Sequence, residues 1–259
     1  MRRDYPLSAE RHSAPERDVP VEEFIALLNA NKISHGVLTA PSFYGSDNTI
    51  LLQALATEPA RLRGTIIVES DIDISTLDGM KLAGVAGIRL NWVKRRALPD
   101  VSSLFYQRLM SAVKHVDMHV EIYIEGDLLP VILPNIQKSG VKIVLDHFGC
   151  PNPDTRMESE GFALVLDSLS AGNTWIKLSA PYRLGGADPQ PYVDAFLEVG
   201  GANRLLWASD WPWIGHETTV TYQQCKDWLS KWIPDRNTRD KILADNPREL
   251  FGFEQVKLT

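Results

Sequence analysis

Cysteine is scarce in this 259-residue chain. There are two, Cys150 and Cys225, in no metal-binding or redox spacing. That excludes a disulfide-stapled secreted scaffold and suits a reducing, cytoplasmic setting. Basic excess is missing too: 27 Lys and Arg stand against 33 Asp and Glu, a formal net charge of −6. The balance argues against a general nucleic-acid binder and leaves no polybasic membrane anchor. An anionic ligand would have to be met by local arginines. No apolar run reaches the ~18 residues of a spanning helix. The opening stretch, "MRRDYPLSAERHSAPERD", has two arginines but no apolar segment after them, so it reads as neither signal peptide nor span. Low-complexity tracts and short internal repeats are absent as well.

What remains is ordinary globular material, 44% hydrophobic and 23% charged, in a chain long enough to bury a large core. Seven short apolar runs recur: "HGVLTAP" (35–41), "RGTIIVE" (63–69), "VAGIRLN" (85–91), "HVEIYIE" (119–125), "VKIVLDH" (141–147), "TWIKLSA" (174–180) and "RLLWASD" (204–210). Continuous apolar runs of this length read as strands buried on both faces of a parallel sheet. Helical patterns lie between them. "VPVEEFIALLNAN" places Phe24, Leu27 and Leu28 on one face, and "SDNTILLQALA" offers Ser46 or Asp47 as a cap. "FYQRLMSAVKHV" aligns Phe105, Leu109, Ala112, Val113 and Val116, and "TYQQCKDWLSKW" aligns Tyr222, Cys225, Leu229 and Trp232. Strand and helix alternate without a linker, so the expectation is a single α/β domain over residues 1–259. A closed (β/α)₈ barrel needs eight strands. The polar, proline-broken region before residue 19 supplies no eighth, which leaves either a barrel without its first strand or an open, doubly wound sheet.

In parallel α/β folds, ligands gather where the strands end. The ends here are polar: Ser42 after the first run, Arg89 and Arg95 around the third, Tyr123 in the fourth, Asp146-His147 after the fifth, Arg183 after the sixth and Asp210 after the seventh. Each also has a plain structural reading. A strand-end aspartate caps turns, a lone histidine serves as scaffold, and Arg95 or Arg96 suits a solvated loop. The remaining histidines, His12 among them, read as surface or packing residues. The coincidence of these groups at one rim is what points to an active site.

"VLDHFG", "LLWASDWPW" and "DNPRELFGF" resemble the amidohydrolase-2 branch of the amidohydrolase superfamily, and within it the lactonase group that hydrolyses 2-pyrone-4,6-dicarboxylate. "PSFYGSDNTILLQAL" and "GIRLNWVKRR" resemble further motifs of that group. The resemblance covers nearly the whole chain from about residue 4 and implies a (β/α)₈ TIM barrel. It also exposes a departure. Family members begin with a strand ending in His-x-His, and this sequence has no His-x-His. The expectation is therefore a barrel lacking its first strand, with either a truncated start or a lost segment as the cause.

The resemblance implies metal-independent lactone hydrolysis with no cofactor. Asp210 would be the general base for water and His147 the donor that polarises the carbonyl. Arg89, Arg95 and Arg183 would clamp substrate carboxylates, since a planar guanidinium meets a carboxylate through two bonds. Tyr123 and Ser42 would add neutral hydrogen bonds. With His147 and Asp210 alone, the ligand count falls short of a catalytic zinc site. The expected partner is a small anionic substrate, with no nucleic acid and no membrane, the chain acting as a monomer or homodimer. Two alternatives stay open: a metal-dependent decarboxylase of a small aromatic acid, and a non-catalytic barrel that binds a dicarboxylate.

Overall fold

All seven apolar runs become parallel strands in a computed structural model that describes residues 1–9, 11–14 and 16–254. They are β1 (Gly36–Thr39), β2 (Leu62–Ile66), β3 (Val85–Asn91), β4 (His119–Tyr123), β5 (Lys142–Leu145), β6 (Thr174–Leu178) and β7 (Leu205–Trp207). Each pairs with the next in sequence, giving the order β1-β2-β3-β4-β5-β6-β7. The crossovers are helices: α1 (Val21–Ala30) before β1, then α2 (Thr49–Thr57), α3 (Ile74–Leu82), α4 (Leu104–His115), α5 (Leu129–Lys138), α6 (Glu160–Ser170) and α7 (Gln190–Gly200). After β7 come α8 (Tyr222–Trp232), α9 (Arg236–Asp240), a wide turn over Lys241–Asp245 and α10 (Asn246–Phe251). No helix among the described residues is long and apolar enough to cross a membrane.

The outward face of the strands is apolar, and the inward face combines a smaller apolar cluster with buried polar and charged side chains. Ile88, Val120 and Ile143 are register partners on β3, β4 and β5, almost fully buried in the large cluster that also holds Leu109 and Val113 of α4 and Ile132 and Leu133 of α5. The other face carries Val144, Trp175 and Leu206, which pack with Leu250, Phe251 and Phe253. The apolar part of the "DNPRELFGF" segment thus plugs the N-terminal end of the sheet's inner face. Each buried Phe contributes about 1.5–3 kcal/mol.

Side chains on the inner face reach across an intervening strand. Thr65 on β2 approaches His119 on β4 (Oγ1 to Nε2, 3.4 Å), and Lys177 on β6 meets Glu121 on β4. Strands two apart are separated by about 9.5 Å in a flat sheet, so such contacts mean that the sheet curls around this face. His119 needs space to point inward, and its register partner Gly87 provides it. A Cβ there would lie 2.4 Å from the imidazole Cε1.

The curl does not close. No backbone ladder joins β7 to β1 among the described residues. The described residues before α1 contain no strand. Two local expectations are corrected. Phe105 is 59% exposed, because it sits in the first turn of α4, while Met110 joins Leu109 and Val113 in the buried stripe. Asn48, not Ser46 or Asp47, is the N-cap residue of α2, and Asp47 instead accepts the Thr49 N–H.

Candidate active site

The strand ends open into a cavity of about 1710 Å³. That exceeds a usual small-molecule site of roughly 300–1,000 Å³, because the void continues between β1 and β7 past Phe24, Leu28 and Leu51 to Phe251 and Phe253. The chemistry occupies its polar end. Several residues there hold left-handed backbone conformations that L side chains seldom adopt: His147 (φ 47°), Ala180 (φ 50°) and Asp210 (φ 57°). Such strain concentrates where side chains must be aimed.

Beneath the polar end lies a closed ring of four buried charges. Arg89 Nη2 meets Asp146 Oδ2 at 2.7 Å, and its Nε lies 3.0 Å from Glu121 Oε1 as an ion pair without hydrogen-bond alignment. Lys177 Nζ closes the circuit, 2.5 Å from Glu121 Oε2 and 2.9 Å from Asp146 Oδ1. Arg89 Nη1 also donates to the Ala40 carbonyl at 3.0 Å. Two cations and two anions cancel, which is what a buried set of charges requires. Burial alone would raise the Asp146 carboxyl, but Lys177 and Arg89 hold it well below the usual carboxylate range.

Above the ring sit the expected acid–base groups. Asp210 uses its two oxygens differently. Oδ2 accepts from Tyr182 Oη (2.6 Å), Arg183 Nε (3.1 Å) and Arg183 Nη2 (3.0 Å). Oδ1 faces His147 Nε2 at 3.7 Å, too far for a hydrogen bond. Burial pushes the Asp210 carboxyl up, yet His147, Arg183 and the Tyr182 hydroxyl outweigh it and bring it below its ordinary value. His147 is lowered by burial, against the pull of Asp210 and Asp146, which favours the neutral ring. Its Nδ1 lies 2.8 Å from Ser179 Oγ. Tyr123 packs edge-on against His147 at 5.0 Å, and burial raises its hydroxyl to about 12.

The sequence reading placed seven residues here, and the structure brings six of them to the cavity: Asp210, His147, Arg89, Arg183, Tyr123 and Ser42. Ser42 contributes a buried Oγ with no hydrogen-bond partner among the described residues. Arg95 lies exposed on the loop after β3 and is not among the described residues that line the cavity, whereas Lys94 (φ 59°) is. Arg89 and Arg183 line it, but their guanidiniums already engage carboxylates of the protein. His12, read as a surface or packing residue, reaches the mouth, its Nε2 3.2 Å from Asn91 Oδ1 and its ring edge-on to Tyr123. Tyr182, Lys177 and Ser179 stood at strand ends in the sequence without assigned roles. Tyr182 could have been singled out, because it immediately precedes Arg183 in a turn beside Asp210.

Members of the family that the sequence resembles often carry a metal, and the donor set decides whether this site can hold one. Asp146 is fully engaged by Arg89 and Lys177, and Asp210 Oδ2 by three donors. That leaves His147 Nε2 and Asp210 Oδ1, fewer than the three or so protein ligands of a catalytic zinc. No group of three or more His, Cys, Asp or Glu disposed to hold a metal occurs among the described residues. The residues present do not fit a catalytic metal.

Comparison with known proteins places this geometry in context. The Amidohydrolase family profile matches residues 2–253. The chain is 27% identical over 256 residues to 4-sulfomuconolactone hydrolase of Rhizobium radiobacter, covering 96% of this chain and 85% of that protein. It is 27% identical over 272 residues to 2-pyrone-4,6-dicarboxylate hydrolase of Comamonas testosteroni, covering 98% and 87%. Among solved structures, a probable 2-pyrone-4,6-dicarboxylic acid hydrolase of Acinetobacter baumannii with citric acid bound superposes with a TM-score of 0.91 at 31% identity, covering 96% of this chain and 94% of that one.

Proposed function

We propose, for a chain that belongs to the amidohydrolase family, that it hydrolyses a small carboxylated lactone of the 2-pyrone-4,6-dicarboxylate or sugar-acid kind without a metal ion. One observation carries the reading: Asp210 is anchored through Oδ2 while Oδ1 faces His147 Nε2 at 3.7 Å across the polar end of the cavity. An ionised carboxylate oxygen and a neutral imidazole then flank one reaction centre, as addition of water to an acyl carbon requires. The relatives' names support the reaction class, since two are lactone hydrolases, and the Acinetobacter protein holds a tricarboxylic acid.

In this mechanism Asp210 Oδ1 takes a proton from water as the water oxygen attacks the lactone carbonyl. His147 donates from Nε2 to the carbonyl oxygen and stabilises the oxyanion. The ring C–O bond breaks, and the leaving oxygen receives the proton that Asp210 collected. Arg183 and Lys94 hold the substrate carboxylates, Arg89 contributes its positive charge from beneath them, and Tyr123 and Ser42 add neutral hydrogen bonds. Arg95 is left out of the site. The proposal also takes the slot between β7 and β1 as the place of one strand, so that the sheet is a (β/α)₈ barrel short of that strand.

The test is a panel of lactone dicarboxylates and sugar-acid lactones assayed with and without chelator, alongside Asp210→Asn. The variant keeps the fold and lowers kcat on the order of 10²–10⁴-fold. Wild-type activity in Asp210→Asn removes the aspartate from the mechanism. Chelator-sensitive turnover points to the metal-dependent alternative, and thermal stabilisation by a dicarboxylate without turnover points to a binding protein.

A further inference from the structure

Ser179 has no part in the scheme above, yet its hydroxyl is the only hydrogen-bond partner of the His147 ring among the described residues. The contact is 2.8 Å from Oγ to Nδ1, with Ser179 2% and His147 5% exposed. A serine hydroxyl can donate or accept, and a neutral imidazole offers one N–H and one lone pair. The bond at Nδ1 therefore decides what Nε2 presents to the reaction centre.

The surroundings select one arrangement. On the far side of the ring, Nε2 looks at Asp210 Oδ1, an oxygen of a carboxylate whose other oxygen is tied to Tyr182 and Arg183. A lone pair on Nε2 would face that negative oxygen, whereas an N–H there is attracted to it. With the hydrogen on Nε2, Nδ1 must accept, so Ser179 must donate. Asp146, the other carboxylate acting on the ring, has both oxygens held by Arg89 and Lys177. Ser179 is also well fixed. It lies two residues beyond Lys177, whose ammonium ties β6 to Glu121 and Asp146, and just before Ala180 with its left-handed backbone.

We propose that Ser179 is a positioning residue that holds His147 in the tautomer carrying its hydrogen on Nε2. The consequence rests on the lactone-hydrolysis reading: this tautomer makes His147 the carbonyl donor and leaves Asp210 as the base. The opposite tautomer would present a bare Nε2 and leave the carbonyl oxygen without a donor from this pair.

The experiment reads the tautomer directly, by ¹⁵N NMR of histidine-labelled protein without substrate near pH 7, with His147→Gln assigning the signals. The wild type shows a protonated Nε2 and an unprotonated Nδ1. Ser179→Ala moves His147 toward a mixture of tautomers, and Ser179→Thr, which keeps the hydroxyl, restores the wild-type pattern. With a lactone substrate, Ser179→Ala lowers kcat on the order of 10–100-fold with little change in KM, the size typical of losing a group that orients a functional histidine. Ser179→Thr recovers most of it. A wild-type ring protonated on Nδ1, or a Ser179→Ala spectrum unchanged from wild type, overturns the proposal. So does an acyl adduct on Ser179 in intact mass, which would make it a nucleophile. Because the spectra need no substrate, failure of the lactone reading leaves the tautomer assignment open to its own test.

Discussion

Replacing Arg183 with methionine tests how the proposed base is held. Its Nε and Nη2 lie 3.1 and 3.0 Å from the same Asp210 oxygen, with the two side chains 26% and 21% exposed. Hydrogen bonds to a charged group contribute about 1.5–3 kcal/mol each when buried. Partial exposure and a shared acceptor reduce the sum, so about 1.5–3 kcal/mol covers the pair. At about 1.4 kcal/mol per tenfold, losing it raises the proton affinity of Asp210 roughly 10–100-fold. The direction follows from the role of the residue. A base works ionised, so kcat/KM falls as pH drops through the carboxyl pKa. In the wild type that pKa is held below its ordinary value, and the rate stays level from neutral into mildly acid conditions. In Arg183→Met the acid limb moves up by about one to two pH units. The assay is a pH profile of kcat/KM, bracketed by circular dichroism to exclude acid unfolding. An unmoved limb with only a raised KM would refute the reasoning, because Arg183 would then clamp substrate and do nothing for the base.

Two further outcomes follow from the same geometry. Lys177→Met strips Glu121 and Asp146 of a shared cation in a closed, buried ring and destabilises the fold by about 3–5 kcal/mol, measured by urea unfolding, whereas Lys177→Met with Glu121→Gln loses less than Lys177→Met alone. Arg95→Ala leaves KM within about twofold of wild type in a steady-state assay, as a side chain outside the cavity should.

Much of this molecule is legible in its sequence. The strands announced themselves because both faces of a curled parallel sheet are buried, one against helices and one against its own interior, so polar residues are few within the runs. The rim followed from strand direction: Asp210 and His147 each end a run, and both arrive at the cavity. The partners of the charges were harder to read. A strand-end arginine has the same local pattern whether it meets a substrate or a neighbouring strand's carboxylate, and so the acids of the protein that Arg89 and Arg183 engage were not legible from their positions. One signal was available. Arg89, Glu121 and Lys177 sit within apolar runs on separate strands, and charges that deep need one another. His12 and Lys94 were harder still, because loops with no periodicity bring them to the mouth.

The unclosed sheet sets where the molecule comes apart first. A ring of strands has no terminus from which to unzip, but a seven-strand ribbon has two. Here β1 is half-buried along all four residues, while four of the five residues of β4 are fully buried. Local opening therefore costs least at the flanks and most at the centre. Of the two flanks β1 is the looser, since Leu205 and Leu206 of β7 are buried, so the edge across the gap from Asp210 can breathe while Glu121, in the middle strand, keeps the salt-bridged floor shut.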